Sequence, residues 1–252
     1  MITAPDFSLS GKKALITGSS QGIGLALATA MAKSGAAVVL NGRDESKLAK
    51  AADKLKTQGL EVAVAPFDVT DEAAVQRAKC ALGEIDILVN NAGIQRRGAL
   101  EALSLADWNT VLSTNLTSAF LVSRAFVPGM IKRRSGKIIN ICSLMSDLAR
   151  PTTGNYAAAK GGLRMLTRAM CGEWAQHNIQ VNGIGPGYFE TELTAPLVAD
   201  PKFDSWIRGR TPAGRWGQLQ DLTGAAVFMA SSAADFLNGQ VLMIDGGLTA
   251  VV

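Results

Sequence analysis

The stretch ALITGSSQGIG at residues 14–24 decides the fold class of this chain. A short apolar run leads directly into a glycine-rich turn, and a helical pattern begins at Gly22. Glycines permit a tight turn and let backbone N–H groups approach a phosphate, and the dipole of the following helix favours an anion at the same place. The spacing Gly-x3-Gly-x-Gly differs from the more common Gly-x-Gly-x-x-Gly. Alone, the stretch predicts a strand, a turn and a helix, with either a phosphate site or a plain tight turn.

Outward from this stretch, short apolar runs alternate with longer amphipathic segments. The runs are rich in Val, Ile and Leu, as expected of parallel strands that are buried on both faces. The predicted strands are residues 14–17, 37–41, 62–66, 85–89, 137–141, 180–184 and 241–244, and the predicted helices are residues 22–34, 45–58, 71–81, 108–132, 156–176 and 219–230. This alternation predicts an α/β protein with a single-domain Rossmann fold over residues 1–252, in which a doubly wound, seven-stranded parallel sheet carries helices on both faces. The longest irregular segment is residues 185–212, and we expect a substrate lid at about 187–212.

The composition narrows the classes of function. Hydrophobic residues make up 48% of the 252 residues and charged residues 18%, which argues against a disordered chain. The net charge of +4 comes from scattered basic residues, so we expect affinity for small anions and no nucleic-acid partner. No apolar run approaches the ~20 residues of a membrane span, and the chain starts without a secretory pattern, so we expect a cytoplasmic protein without a membrane partner.

The cysteines and the histidine do not form a metal-binding pattern. Cys80, Cys142 and Cys171 lack metal-ligand spacing, and their odd number favours reduced thiols in a cytosolic protein. His177 is the only histidine and cannot build a histidine-based metal site alone. We therefore expect no metal.

The tip of the second predicted strand indicates the cofactor. In a Rossmann fold this tip reaches the adenosine ribose, where an acidic side chain would accept from the 2′-hydroxyl and favour NAD. Here the tip reads Asn41-Gly42-Arg43. Gly42 removes an obstruction, and the forked donors of Arg43 suit a 2′-phosphate, so we predict NADP(H). The alternative is that Arg43 is an ordinary loop residue and that Asp44, a typical helix N-cap, contacts the ribose.

Tyr156 and Lys160 form a candidate acid/base pair. Residues four apart lie on one face of a helix, so the phenol and the ammonium are neighbours, and the ammonium is expected to lower the tyrosine pKa. Such a tyrosine can protonate an alkoxide formed by hydride attack, or accept a proton in the reverse reaction. Ser143 follows a predicted strand at its carboxyl end, where open α/β sheets bind ligands, and its hydroxyl can contact the same substrate oxygen. The alternative for the pair is a surface helix that happens to carry a lysine.

These motifs together resemble the short-chain dehydrogenase/reductase family over essentially the whole chain. The matching pieces stand in separate predicted elements and in the family's order: TGSSQGIG at residues 17–24, Asp68-Val69, Asn90-Asn91-Ala92-Gly93, Asn115, Ser143, Tyr156 with Lys160, and Pro186-Gly187 with Thr191. The joint occurrence of these pieces is far more specific than any one of them. Between Val69 and Asp86 the chain is about one helical turn shorter than expected for the family, roughly four residues.

The resemblance implies roles for the matching residues. The implied catalytic residues are Asn115, Ser143, Tyr156 and Lys160. The implied cofactor-binding residues are Gly18, Ser20, Gln21, Gly22, Ile23, Gly24, Asn41, Arg43, Asp68, Val69, Asn91, Ala92, Gly93, Tyr156, Lys160, Pro186, Gly187 and Thr191. In the family pattern Asn115 holds a water that relays protons to Lys160, and Asp68 holds the adenine amino group. Members are usually tetramers, so the resemblance also implies a homotetramer built from the two long helices and the C-terminal strand.

Further stretches resemble the family members that interconvert gluconate and 5-keto-D-gluconate. They are NAGIQRR at 91–97, INICS at 139–143, GYFETE at 187–192, RTPAGRW at 210–216 and DGG at 245–247. A sugar acid carries a carboxylate, and Arg96 and Arg97 are candidates to pair with it, beside Ser143 and Tyr156 at the reacting carbon. Adjacent side chains diverge, and we favour Arg97; the alternative is that one or both arginines lie at the surface or in a subunit interface.

The expected function is hydride transfer between NADP(H) and a small-molecule sugar acid, and the expected reaction is the interconversion of gluconate and 5-keto-D-gluconate. The alternatives are another short-chain reductase, such as a 3-oxoacyl carrier-protein reductase or a polyol dehydrogenase, and a non-catalytic nucleotide-sensing protein. The intact set of Ser143, Tyr156 and Lys160 speaks against a sensor, which needs only the cofactor residues.

Overall fold

Seven parallel strands form one sheet in the computed structural model, which describes residues 4–192 and 194–251. The strands are β1 Lys13–Ile16, β2 Ala37–Gly42, β3 Val62–Pro66, β4 Ile87–Asn90, β5 Gly136–Ile141, β6 Ile179–Pro186 and β7 Val241–Ile244. The helices are α1 Gly22–Lys33, α2 Glu45–Lys56, α3 Glu72–Leu82, α4 Leu105–Leu112, α5 Ser118–Arg133, α6 Gly154–Trp174, α7 Ala195–Val198, α8 Pro201–Arg210 and α9 Gln220–Ala230. The strand order β3-β2-β1-β4-β5-β6-β7 reverses between β1 and β4, where a doubly wound sheet places its ligand crevice. The predicted fold class is confirmed.

Both faces of the sheet are buried, which explains the continuous apolar runs. Ile16 packs in a core with α1, α2 and α9, whereas its neighbour Leu15 packs in a second core with α3, α5 and α6. Both side chains are fully buried. Complete burial of such a side chain stabilises the fold by about 1.5–3 kcal/mol, so neither face of the central strands tolerates a polar residue without a partner. The part of the chain described here contains no helix that is both long and apolar enough to cross a bilayer.

The long helix predicted at 108–132 is two helices joined by a π-helical turn. The first begins earlier, at Leu105, because the Ser104 side chain accepts the Asp107 N–H at 3.0 Å and caps it. The π-helical turn covers Ser113–Thr117 and includes Asn115. Such turns are frequent at functional sites, and the apolar periodicity of the sequence does not reveal them.

The segment predicted to be irregular, residues 185–212, is partly helical. Strand β6 continues to Pro186, and the helices α7 and α8 follow. Asp200 caps α8 by accepting the N–H groups of Lys202 and Phe203, and Pro201 occupies the first helical position. The prediction of an irregular segment was wrong for α7 and α8 because the mixed polar and aromatic composition hides two short helices, of which Asp200-Pro201 starts the second.

Candidate active site

The glycine-rich turn after β1 packs directly on the segment after β4. Gly18 has φ +60°, and a Cβ at this position would lie 2.9 Å from Ala92 Cα. A Cβ on Gly24 would lie 2.5 Å from the Asn91 side-chain nitrogen. That nitrogen donates to the carbonyls of Thr17 at 2.8 Å and Gly18 at 2.9 Å. The contacts leave room for glycine alone, so the turn is held in one geometry.

The amino end of α1 faces the same cleft. Gln21 is its N-cap residue, and the Gln21 side chain accepts no hydrogen bond from the N–H groups of the first turn, all of which lie in the described part of the chain. Asn41, at the end of β2, fixes the turn instead: its Oδ1 accepts the Gly18 N–H at 3.3 Å, and its Nδ2 donates to the carbonyls of Ala65 and Phe67 at 3.1 Å. Uncapped N–H groups at a helix start form a site for an anion such as a phosphate.

The tip of β2 presents positive charge to solvent. The side chain of Arg43 is 76% exposed and lies 3.7 Å from the Asp68 carboxylate. Burial would raise the pKa of Asp68, but hydrogen bonds from Thr70 and the charge of Arg43 outweigh it and hold that pKa below its usual value. Asp44 accepts the Lys47 N–H at 3.0 Å and caps α2. Because Asp44 is used as a cap, Arg43 is the better placed of the two for a ribose phosphate.

Ser143, Tyr156 and Lys160 lie together at the carboxyl end of β5. The Ser143 hydroxyl accepts the Met145 N–H at 3.1 Å and also interacts with the Tyr156 phenol. The Lys160 ammonium lies 5.6 Å from the Tyr156 ring centroid and donates to the Ile141 carbonyl at 2.6 Å. A hydroxyl, a phenol and an ammonium thus share one wall of the cleft.

The expected lowering of the Tyr156 pKa is not observed. Burial raises the pKa of Tyr156 to about 12, the hydrogen bond with Ser143 opposes the rise, and Cys142 adds to it. Burial also lowers the pKa of Lys160 to about 8, because desolvation disfavours the ammonium. The prediction was wrong because spacing along a helix says nothing of the desolvation that both groups undergo.

Asn115 projects from the π-helical turn toward the cleft. Its side-chain nitrogen donates to the carbonyls of Ile94 and Val111, both at 2.9 Å. Its buried Oδ1 has no hydrogen-bond partner among the described residues. A Cβ on Gly93 would lie 2.7 Å from this oxygen, so glycine keeps the space beside it open. A buried acceptor without a partner costs free energy, which a bound water or ligand donor would recover.

One cleft of about 720 Å³ brings the predicted residues together, a size usual for small-molecule and cofactor sites. Its lining includes each of the predicted catalytic and cofactor residues: Gly18, Ser20, Gln21, Gly22, Ile23, Gly24, Asn41, Arg43, Asp68, Val69, Asn91, Ala92, Gly93, Asn115, Ser143, Tyr156, Lys160, Pro186, Gly187 and Thr191. Arg96 and Arg97 are not among its lining residues. Arg96 pairs with Asp107 at 3.8 Å, whereas Arg97 lies within electrostatic reach of Tyr188 and Arg150.

The sequence interpretation missed several residues of the cleft. Lys47 and Thr70 lie at the end that Arg43 occupies, and Thr194 lies in the segment that follows Thr191. Lys47 follows Arg43 by four residues in the first turn of α2, a spacing that could have revealed it. The others carry no signal in the sequence.

The chain belongs to the short-chain dehydrogenase family, whose model matches residues 12–202. It is 53% identical to the gluconate 5-dehydrogenase of Gluconobacter oxydans (strain 621H) over 250 residues, which cover 97% of this chain and 98% of that protein. It is 51% identical to the 5-keto-D-gluconate 5-reductase of Escherichia coli (strain K12), with 98% of each chain covered. Among solved structures, a gluconate 5-dehydrogenase from Burkholderia cenocepacia J2315 in complex with NADP and tartrate superposes with a TM-score of 0.95, is 53% identical and covers 98% of each chain. The family predicted from the motifs is confirmed.

Proposed function

We propose that this chain is an NADP(H)-dependent oxidoreductase that interconverts gluconate and 5-keto-D-gluconate. The observation that carries it is the placement of Ser143, Tyr156 and Lys160 on one wall of a cleft whose far end is the glycine-rich turn. The relatives named above act, by their names, on this pair of compounds. Their identity to this chain extends over nearly its whole length, which supports the same chemistry here.

The residues of the cleft fit an NADP(H) molecule. The pyrophosphate would lie against the open N–H groups at the start of α1, where Gly18 lets the backbone approach closely. Arg43 would pair with the 2′-phosphate, with Lys47 beside it. Asp68 and Thr191 would hold the adenine and the carboxamide ends. When bound, the nicotinamide supplies the hydride that adds to the carbonyl carbon of the substrate.

Tyr156 supplies the proton of the reduction. It keeps its proton at neutral pH because burial raises its pKa to about 12, so it can donate to the carbonyl oxygen as that oxygen gains negative charge. Ser143 would donate to the same oxygen and orient it. The Lys160 ammonium stabilises the phenolate that remains, and Asn115 would hold the water through which a proton returns. In the oxidation of the alcohol each proton moves in the opposite direction.

The remaining expectations are part of the same proposal. Arg97 is the better candidate for the substrate carboxylate, because Arg96 is engaged with Asp107. Residues 187–212 would form a lid on the single domain 1–252. Assembly as a homotetramer and a cytoplasmic location complete the proposal, and the free state of Cys80, Cys142 and Cys171 is compatible with that location.

Steady-state reduction of 5-keto-D-gluconate with NADPH and with NADH, run beside an acetoacetyl thioester, tests the proposed function. We expect turnover of the keto acid with a preference for NADPH. Reduction of the thioester without turnover of the keto acid would reject the sugar-acid substrate and retain the reductase chemistry. Equal use of NADPH and NADH would reject only the role of Arg43 and would leave the rest of the proposed function in place.

A further inference from the structure

Arg150 lies against the aromatic side chains of the lid. It precedes α6, and its guanidinium carbon lies 4.9 Å from the ring centroid of Phe203 in α8. The Phe203 ring packs edge-on against the Tyr188 ring, with centroids 5.6 Å apart. A guanidinium that stacks by its face on an aromatic ring keeps its N–H edges free to donate. Arg150 therefore has its donors available beside Tyr188.

Backbone contacts place Arg150 and Arg97 close to the catalytic tyrosine. The Gly98 N–H donates to the Thr152 carbonyl at 3.2 Å, which ties the segment of Arg97 to that of Arg150. The buried Asn155 side chain adds a second tie, since its nitrogen donates to the Arg96 carbonyl at 2.9 Å. Asn155 immediately precedes Tyr156. The main-chain segments of the two arginines are thus tied to each other and to the start of α6, one residue before Tyr156, so both arginines lie beside the cleft rather than in its lining.

Arg97 and Arg150 are both positively charged, and in the described part of the chain neither is neutralised by a carboxylate. Partial burial and then the charge of Arg150 lower the pKa of Arg97, and both arginines lower the pKa of Tyr188 against the rise that burial causes. Within the described residues, no carboxylate forms an ion pair with either arginine, unlike Arg96, which pairs with Asp107. Like charges held near each other are relieved by an anion between them.

We propose that Arg150 binds the substrate carboxylate together with Arg97, and that Phe203 is a positioning residue that holds the Arg150 guanidinium in place. The assignment deepens the proposed function and rests on it for the identity of the anion, a sugar-acid carboxylate. Because Arg150 contacts α8 through Phe203, a carboxylate held by Arg150 also anchors the lid. A substrate without a carboxylate would neither bind Arg150 nor anchor α8 of the lid through it.

The kinetic test compares two substrates that differ only at the carboxylate. In L-sorbose a CH2OH group replaces the carboxylate of 5-keto-D-gluconate. For Arg150→Ala we expect the KM for the keto acid to rise about 10- to 100-fold, the range for losing a charged hydrogen bond, with a smaller change in kcat. The KM for L-sorbose stays unchanged, Arg150→Lys restores part of the loss, and Arg77→Ala, on the exposed face of α3, serves as the matched control.

Calorimetric titration with tartrate in the presence of NADP+ tests the same site without turnover. We expect Arg150→Ala to weaken tartrate binding about 10-fold or more while the Kd for NADP+ is unchanged. If the wild-type protein does not reduce 5-keto-D-gluconate, the proposed function fails, and the tartrate titration still decides whether Arg150 binds a carboxylate. The tartrate titration also answers this question if the wild-type protein does not reduce L-sorbose and the kinetic comparison cannot be made.

Two results overturn the assignment of Arg150. One is a folded Arg150→Ala variant with unchanged KM for the keto acid and unchanged tartrate binding. The other is an equal loss toward 5-keto-D-gluconate and L-sorbose, which would mean that Arg150 only supports packing of the lid. A wild-type protein that neither reduces the keto acid nor binds tartrate overturns both the assignment and the proposed function.

Discussion

In the proposed mechanism, Tyr156 begins the reduction with the proton that it donates already in place. Burial raises its pKa to about 12, so the phenol is fully protonated at neutral pH. Tyr156→Phe removes only the hydroxyl, and we expect kcat for keto-acid reduction to fall by about 10²- to 10⁴-fold, the usual contribution of a general acid. Steady-state kinetics measure the loss, and NADPH fluorescence titration checks that cofactor binding persists. Retention of wild-type kcat would remove Tyr156 from the mechanism.

Lys160 makes the free energy of unfolding depend on pH in the alkaline range. Its pKa in the folded chain is about 8, below the ordinary 10.5, because burial disfavours the ammonium. Between these values the unfolded chain binds the extra proton, so the contribution of Lys160 to the unfolding free energy rises with pH through that window. Relative to Lys160→Met, which does not titrate, wild type should gain on the order of 3 kcal/mol between pH 7 and pH 10.5.

Urea denaturation of both proteins across that pH range measures the difference. The variant also loses the hydrogen bond to Ile141, which shifts the difference by a constant at every pH. The prediction therefore concerns the slope alone, and a pH-independent difference would contradict the lowered pKa.

Arg43 is expected to set the preference for NADPH over NADH. Its side chain is exposed and its ion pair with Asp68 is long, so the pair contributes little to stability and Arg43→Ala should leave the Tm unchanged. Loss of a charged contact to the 2′-phosphate should raise the KM for NADPH about 10- to 100-fold and leave the KM for NADH as it was. Lys50 is likewise exposed and lies nearby on α2, so Lys50→Ala is the matched control. An equal change for both cofactors would show that Arg43 does not contact the phosphate.

At the scale of elements, the strands could be predicted from the sequence, whereas the π-helical turn and the short helices of the lid could not. A strand buried on both faces must be apolar throughout, so each of the seven runs was recognised to within about two residues at its ends. The π-helical turn at Ser113–Thr117 leaves no such trace: its Ser, Thr and Asn residues are weak helix formers, but nothing in the sequence distinguishes a π-helical turn from an ordinary helical one. The helices α7 and α8 of the lid are short, so their apolar periodicity is weak, and the Asp200 cap is the clearest sequence signal for the start of α8.

Asp200 stabilises the start of α8 within the lid. Asp200→Ala removes two hydrogen bonds from the start of α8 and should destabilise that helix by about 1 kcal/mol. Because α8 carries Phe203 and Trp206 against Tyr188, we expect a higher KM for the keto acid and altered tryptophan fluorescence. Asp71→Ala removes the corresponding cap of α3, far from the lid, and should cost similar stability with no change in KM. Equal KM values for the two variants would contradict a role for α8 in substrate binding.

At the scale of the molecule, the cleft was predictable because its residues follow strands whose carboxyl ends meet. That rule placed the glycine-rich turn, Arg43 and Ser143 in the cleft, and the family resemblance implied the rest of the lining to Thr191. The cluster of Arg97, Arg150 and Tyr188 was not predictable, since it joins loops after three different strands and no local pattern marks their contact. The pKa shifts of Tyr156 and Lys160 were missed for the same reason, because desolvation is a property of the packed chain.

The exposed apolar residues on α5 and α6 favour burial of these helices in a subunit interface, and the family resemblance predicts that the assembly is a tetramer. Phe120 is 43% exposed and Met165 is 58% exposed, although both lie in long helices whose outer faces would be polar in a monomer. We expect light scattering coupled to gel filtration to give about 106 kDa, four times the chain mass of 26.4 kDa. Charging both positions, Phe120→Lys with Met165→Lys, should reduce that mass, because two buried lysines would lack partners in each interface. Val64→Lys alters an equally exposed apolar residue of the edge strand β3 and should leave the tetramer intact. A wild-type monomer, or a double variant with unchanged mass, would contradict the prediction.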